Sequence, residues 1–382
     1  MKSGKGVYRN SKYDSEKKEI NINMKKLSLY IVLFILGLTT TFAQNDSTKT
    51  NQFTGQVSFL YPLGTNGTNT DQVNDLSFNI LWGVNGGVKH FELGGIANVN
   101  KGDVRGFQMA GITNVAAGEN KGFIVSGITN YANKGLDGMQ MAGINNFARE
   151  DVSGAQISGI SNVANKDMDG AQIGLTNTTR GKATGMQLGL INFTDSLVGT
   201  QIGLINVVSS GAEGTPIGLI NVVKDGYYAV EVSTSETLWA NINFKMGTEK
   251  FYTIFKAGYS EYDSKVVSSV GAGFGTLFNL NKTVGIALDL SANQIIYDNS
   301  WDTGSLNLLS KADLNAQFHI TKNLTVFAGP SFNVYTVDQK VNGAEQAGTL
   351  SVPEHAFYDK TSSHGTRNAL WIGGQAGLNI NF

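Results

Sequence analysis

The chain contains no cysteine in its 382 residues. This excludes disulfides, thiolate metal ligands, thiol nucleophiles and lipid attachment through an N-terminal cysteine. Charge is also sparse: Asp, Glu, Lys and Arg make up 15% and the net charge is −1. With neither a basic patch nor an acidic tail, nucleic acid is a poor candidate partner. There are 4 prolines beside 47 glycines, and only four histidines: His90, His319, His355 and His364. No Gly-x-Ser-x-Gly elbow, phosphate-binding Walker loop or His-Glu-x-x-His sequence occurs.

Long apolar runs are confined to one place. Met24-Lys25-Lys26 precedes an apolar stretch from Leu27 to Leu38, followed by Thr41-Phe42-Ala43. Charge, a short apolar core and small residues are the pattern of a secretory signal, with cleavage expected after Ala43. Residues 1–23 are polar and read as an upstream extension, Met24 being the natural initiator. The remainder is expected outside the cytoplasm.

What the chain has in abundance is repetition. Asn98, Asn114, Asn130, Asn146 and Asn162 lie 16 residues apart, and Asn177, Asn192, Asn206 and Asn221 follow at 14–15. Each closes a phrase such as Gly111-Ile112-Thr113-Asn114 or Gly203-Leu204-Ile205-Asn206, often led by Gln, as at Gln108, Gln140, Gln156, Gln172, Gln187 and Gln201. A fixed period means one supersecondary unit stacked on its copies. In one construction each copy is a coil of a β-solenoid. Asn and Gln amides then stack in ladders, Ile and Leu fill the interior, and Gly permits the corners. The alternative makes each copy one more strand of a single large barrel. Poor alternation around the Gly favours the solenoid.

From about residue 229 the pattern becomes long strands of period 2. Leu370, Ile372, Ala376, Leu378, Ile380 and Phe382 share one face against Gly373, Gln375, Gly377 and Asn379. Val284, Ile286, Leu288 and Leu290 oppose Asp289 and Ser291, and Leu314, Ala316 and Phe318 oppose Asp313, Asn315 and Gln317. Turns at 247–250, 279–282 and 321–323 are tight, and those at 260–265, 298–305 and 338–367 are read as longer and polar. Strand length, loop asymmetry and a terminal aromatic fit an outer-membrane barrel. A soluble sandwich would alternate too. Seven strands are counted here, and two more, 53–61 and 76–88, are expected to pair with the barrel.

The fold expected is therefore all-β: 14–16-residue repeats joined to an antiparallel outer-membrane-type barrel. The parts are 1–43 (extension and signal), 44–90 (N-terminal strands pairing with the barrel), 91–226 (repeats) and 227–382 (barrel strands). The Gly/Asn/Ile repeats over about 92–223 resemble bacterial surface-repeat proteins of spirochaetes and Bacteroidetes. The stretch Phe59-Leu60-Tyr61-Pro62-Leu63-Gly64-Thr65-Asn66-Gly67 is similar to the lead-in before such repeats. The resemblance implies surface or outer-membrane association and no catalytic residues.

Single residues give little chemistry. His355 and His364 share a loop with Glu354 and Asp359, a metal cluster by composition but a polar loop by spacing. Asn165-Lys166-Asp167-Met168-Asp169-Gly170 begins like a Ca²⁺ loop, yet Thr176 stands where the bidentate acid belongs, and a tight turn explains it. Gly271-Ala272-Gly273-Phe274-Gly275 sits in a strand with no helix after it, which suits a crowded lumen better than a phosphate. Asp289, Asp313 and Lys245 are expected to point into the barrel, where they could set ion preference. Trp82, Tyr259, Tyr297, Trp301 and Tyr335 could form interfacial belts. The function expected is a non-enzymatic outer-membrane or cell-surface protein. Its role is structural or surface-binding, and its partners are outer-membrane lipid and a surface ligand or polysaccharide. No cofactor, metal or catalytic residue is assigned. The rivals are a channel or uptake barrel and a secreted soluble adhesin.

Overall fold

The computed structural model describes residues 53–262, 264–297, 306–338, 340–341, 344–345 and 350–382. The expected signal at 24–43, the loop at 298–305 and Trp301 lie outside them. Every described element is a β-strand, and no described helix is long and apolar enough to cross a membrane.

The repeats form a parallel β-solenoid of about nine coils. A coil has a longer and a shorter strand, such as Leu136–Ala142 followed by Asn145–Ala148. Each residue pairs with its counterpart one coil on: Leu136 with Val152, Gly138 with Gly154, Gln140 with Gln156. Asn146 likewise pairs with Asn162, and Asn192 with Asn206. The late repeats keep this register because the first lost residue drops out at the Gly corner, between Ile173 and Thr176, and the later change of length is absorbed after the Asn strand. The register shifts of that later change lie between Thr179 and Lys182 and between Thr194 and Ser196. In-register parallel pairing at the coil interval is a solenoid and not the wall of one large barrel.

Glycine is required where backbones of successive coils meet. A Cβ on Gly127 would stand 2.1 Å from the Gly111 carbonyl oxygen, and Gly138 has φ 131° with its Cβ position 2.2 Å from the Gly122 oxygen. The expectation that Ile and Leu fill the interior is overturned. Ile112, Ile128, Ile144, Leu190 and their equivalents sit on the outside of the Gly corner, Ile144 being 43% exposed. The corner turns them outward, and the interior is taken by the Asn and Gln side chains together with Ala, Val, Leu and Met nearer the opposite edge.

The N-terminal strands do not pair with the barrel as expected. Gly55–Leu60 pairs in parallel with Val73–Asn85, placing Val57 beside Phe78. The latter strand pairs in parallel with the first coils, Phe78 beside Leu93 and Val84 beside Val99. Alternation alone cannot distinguish a barrel strand from a coil. The polar residues of this strand decide it, because Asn79 and Asn85 complete the hydrogen bonding of the first repeat.

The C-terminal part is a closed antiparallel barrel of eight strands: Tyr227–Ser235, Ala240–Thr248, Phe251–Tyr262, Lys265–Asn279, Val284–Tyr297, Asn307–His319, Leu324–Asp338 and Thr366–Asn381. The first and last close it, with Val232 opposite Leu378. The strand missing from the sequence count is Tyr227–Ser235, whose apolar residues are Tyr228, Val230 and Val232. Loop asymmetry is weaker than expected, since pairing through Tyr262 and Lys265 makes that connection tight. A short strand, Tyr358–Thr361, adds to the last barrel strand outside the ring.

The last solenoid coil lies against the outer face of the barrel. Strands Thr215–Ile217 and Ile220–Val223 contact Ala240–Thr248 and Phe251–Tyr262. Thr253 Oγ1 donates to the Gly218 carbonyl at 2.7 Å and accepts from Asn221 Nδ2 at 3.1 Å. At the neighbouring turn, Lys250 Nζ donates to the Glu213 carbonyl at 2.5 Å.

Candidate functional site

Two amide ladders run through the solenoid. Asn98 Nδ2 donates to Asn114 Oδ1 at 2.9 Å, and the relay continues through Asn130, Asn146, Asn162, Asn177, Asn192 and Asn206 to Asn221. Its last donor is spent on Thr253 of the barrel. The second N–H of Asn146 goes to the Ile157 carbonyl at 2.7 Å, so the side chain donates twice and accepts once. Fully buried amides are tolerated only with such pairing. The Gln ladder runs the other way: Gln156 Nε2 donates back to Gln140, Gln172 to Gln156, Gln187 to Gln172 and Gln201 to Gln187. It is broken at Ile124, and both Gln108 Oε1 and Gln140 Nε2, on either side, are left without a partner.

The first Gln place holds Glu92, which is fully buried. Its carboxylate accepts from Asn79 and Asn85 on one oxygen and from Asn100 and Gln108 on the other, at 2.7–3.0 Å. Burial pushes its carboxyl above the ordinary value, against the pull of the hydrogen bonds from Asn100, Gln108 and Asn79.

The barrel lumen is also polar, but it is held by charge. Lys245, 1% exposed at its side chain, bridges Glu231 at 2.6 Å and Asp289 at 2.8 Å. Asp289 also accepts from Tyr252 Oη at 2.6 Å, and Asn243 donates to Glu231. A second group joins Lys256 and Lys311 to Asp313 at 3.5 and 3.6 Å. Three acids thus face three lysines. Above them Glu236 accepts from Trp371 Nε1, Asn333 Nδ2 and the Gly374 amide. Beyond these a cluster of Leu238, Val267, Ile295, Leu309, Tyr335 and Trp371 fills the mouth away from the tight turns. An eight-stranded ring leaves room for side chains and little else.

At the tight-turn mouth, beside the last coil, lies an open cavity of about 1150 Å³. Glu213, Glu249, Lys250, Lys282, His319 and Lys322 line it. His319 meets Thr325 Oγ1 through Nδ1 and Asn279 Oδ1 through Nε2.

The outward faces are the reverse of the interiors. Ile372 is 60% exposed and Phe382 69%, while Ile242, Phe278, Leu290, Leu314, Phe318 and Ile380 are also exposed on the barrel wall. On the solenoid, the corner column from Ile96 to Leu219 is exposed throughout.

The residues singled out from sequence fall as follows. Asp289, Asp313 and Lys245 point into the lumen, where they are tied into ion pairs. Their partners Glu231, Lys256 and Lys311 were not singled out; each stands at an inward position of an alternating strand, which is the signal that finds them. Gly275 supports the crowded-lumen reading, since a Cβ there would stand 2.3 Å from the Tyr252 ring. Asp167 serves its turn, accepting from the Lys182 amide at 2.8 Å. His355 meets the Ile372 carbonyl and His364 meets Ser363; no metal-ligating cluster of three occurs among the described residues. Among the described residues the expected belt is not assembled: Trp82 packs on Tyr61 beside the first coil, Tyr335 is buried in the lumen, Tyr297 packs against the cluster there and Tyr259 is exposed on the wall. No protein-family model, curated protein or solved structure matches the chain.

Proposed function

We propose that the protein is a non-enzymatic outer-membrane or cell-surface protein whose barrel is a membrane anchor and whose solenoid is a rigid structural platform. The observation that carries this reading is the inverted barrel. Its wall is apolar strand after strand, and its interior holds ion pairs and amides. In water that arrangement exposes the greasy side and buries charge, opposite to what the hydrophobic effect selects. In lipid it is the expected pattern for a spanning barrel. Strands of 9–16 residues are long enough to cross. The sequence resemblance to surface-repeat proteins points to the same address. The filled lumen supports an anchor over a channel, because ion-paired side chains occupy the ring and an apolar cluster plugs the mouth away from the tight turns.

The test is extraction and heat-modifiability of the full chain expressed in a Gram-negative host. The protein should stay in the membrane pellet through carbonate and urea and migrate faster on a gel when unboiled. Release into the wash with a single boiled and unboiled mobility would overturn the reading in favour of a secreted soluble protein.

A further inference from the structure

The solenoid is amphipathic across its section. Between Phe91 and Val223 every outward charged side chain falls at the edge opposite the Gly corner, in the turns there (Lys134, Arg149, Glu213) or near the start of the strand that follows (Arg105, Lys121, Asp169). The corner column and the outward rows flanking it carry none. They present Phe107 and Met109 in one strand and Val115, Tyr131 and Phe147 in successive coils, with Tyr131 and Phe147 stacked at 5.2 Å. Nine corner positions at the strand spacing make an apolar strip about 38 Å long. Strips of that extent mark a contact surface.

The junction with the barrel says what covers it. Tyr252 and Ile254 point into the lumen cluster, so Thr253 between them faces outward. Going from the tight turn up this strand, Lys250 meets the polar edge of the last coil at Glu213. Three residues further, about 10 Å along the strand, Thr253 meets the corner at Gly218 and Asn221. The last coil therefore stands against the wall with its charged edge toward the turn end and its apolar corner toward the middle of the wall. The same corner continues in register through every coil to Ile96.

We infer that the solenoid lies along the bilayer with its Ile/Leu corner immersed in the leaflet at the barrel's tight-turn end. This rests on the reading of the barrel as membrane-spanning. Given that reading, the junction holds the corner level with the lipid-facing wall, and the charged turns in water. An amphipathic element so placed sinks its apolar face to the headgroup–acyl boundary. The solenoid is then a rail fixed to the membrane over its whole length, and the occupant of its apolar strip is lipid.

The absence of cysteine makes the test direct. Three single variants of the full chain, Ile144→Cys on the corner, Lys134→Cys on the opposite edge and Ile372→Cys on the barrel wall, are labelled with a polarity-sensitive fluorophore. They are reconstituted into phosphatidylethanolamine–phosphatidylglycerol vesicles and checked for wild-type heat-modifiable migration. Brominated acyl chains should quench the probes at 144 and 372 several-fold more than the probe at 134, and aqueous iodide should do the reverse. A probe at 372 quenched by lipid and one at 144 quenched by iodide would overturn the inference and leave the barrel reading standing. Iodide quenching at 372 would bring down the barrel reading itself. A probe at 144 shielded from both quenchers would mean that protein, such as a second copy, covers the strip, and would also overturn the inference.

Discussion

The barrel wall and the solenoid corner are both apolar and both modules bury polar side chains, yet they satisfy those interiors by different means. A primary amide carries donor and acceptor together, so one residue repeated each coil bonds to itself indefinitely. The nine-member Asn column does this, and the Gln column does it in the opposite sense, so their amide dipoles oppose. A charge is not self-complementary. The barrel therefore places lysines against acids across strands far apart in sequence, as with Lys245 between Glu231 and Asp289. The solenoid interior holds one charged group, Glu92, at the start of the Gln column, where all its partners are donors. Repetition suits parallel stacking; pairing of unlike residues suits a closed antiparallel ring.

The difference has consequences for how each module fails. Lys245→Met leaves Glu231 and Asp289 buried without their cation, a loss on the order of 3–5 kcal/mol. Because the ring is closed, the loss should spread over all eight strands as a lower temperature for the gel-mobility shift. Asn146→Leu strands the Ile157 carbonyl, the Asn162 acceptor and one Asn130 donor, at about 1–3 kcal/mol for each orphaned group. Contacts in a solenoid are between neighbours, so hydrogen exchange should rise at the coils around 130–162 while barrel amides stay protected. Uniform exchange across both modules would remove the distinction.

Smaller effects sharpen the ladder account. Ile124→Gln should join the two Gln segments by pairing Gln108 Oε1 and Gln140 Nε2, a gain of about 1 kcal/mol in urea unfolding of the solenoid. A loss of stability would show that the apolar contacts of Ile124 with Val104 and Ala116 outweigh the bonds. Glu92 gives the weakest signal. Its raised folded value means its contribution to stability is fully present below the unfolded value of about 4.3. That contribution is lost as pH rises through the folded value. Glu92→Gln should flatten the dependence of the urea midpoint on pH in that range.

Much of this was legible in the sequence. The Asn period gives the coil, because only in-register stacking keeps one residue type at one buried place. The alternation around Asp289, Asp313 and Leu378 gives the barrel wall. The side on which Ile and Leu face was not legible: apolar residues beside Gly read as core, and only the corner geometry turns them out. Nor was the allegiance of Val73–Asn85, whose alternation suits either module until Asn79 and Asn85 are seen on Asn98 and Glu92. The Lys245 and Lys256 partnerships depend on barrel closure and register, which a single sequence leaves open.

The central claim is that the barrel wall and the apolar corner of the solenoid meet lipid. Its most direct measurement is a carbene footprint from a lipid-borne photoprobe on the reconstituted full chain, read residue by residue by mass spectrometry. The account predicts label at Phe332, Ile372 and Leu378 on the barrel and at Ile128, Ile144 and Ile160 on the solenoid, with none at Lys245 or Asn146. Label absent from the barrel wall or from the solenoid corner, or concentrated in the lumen, would contradict it.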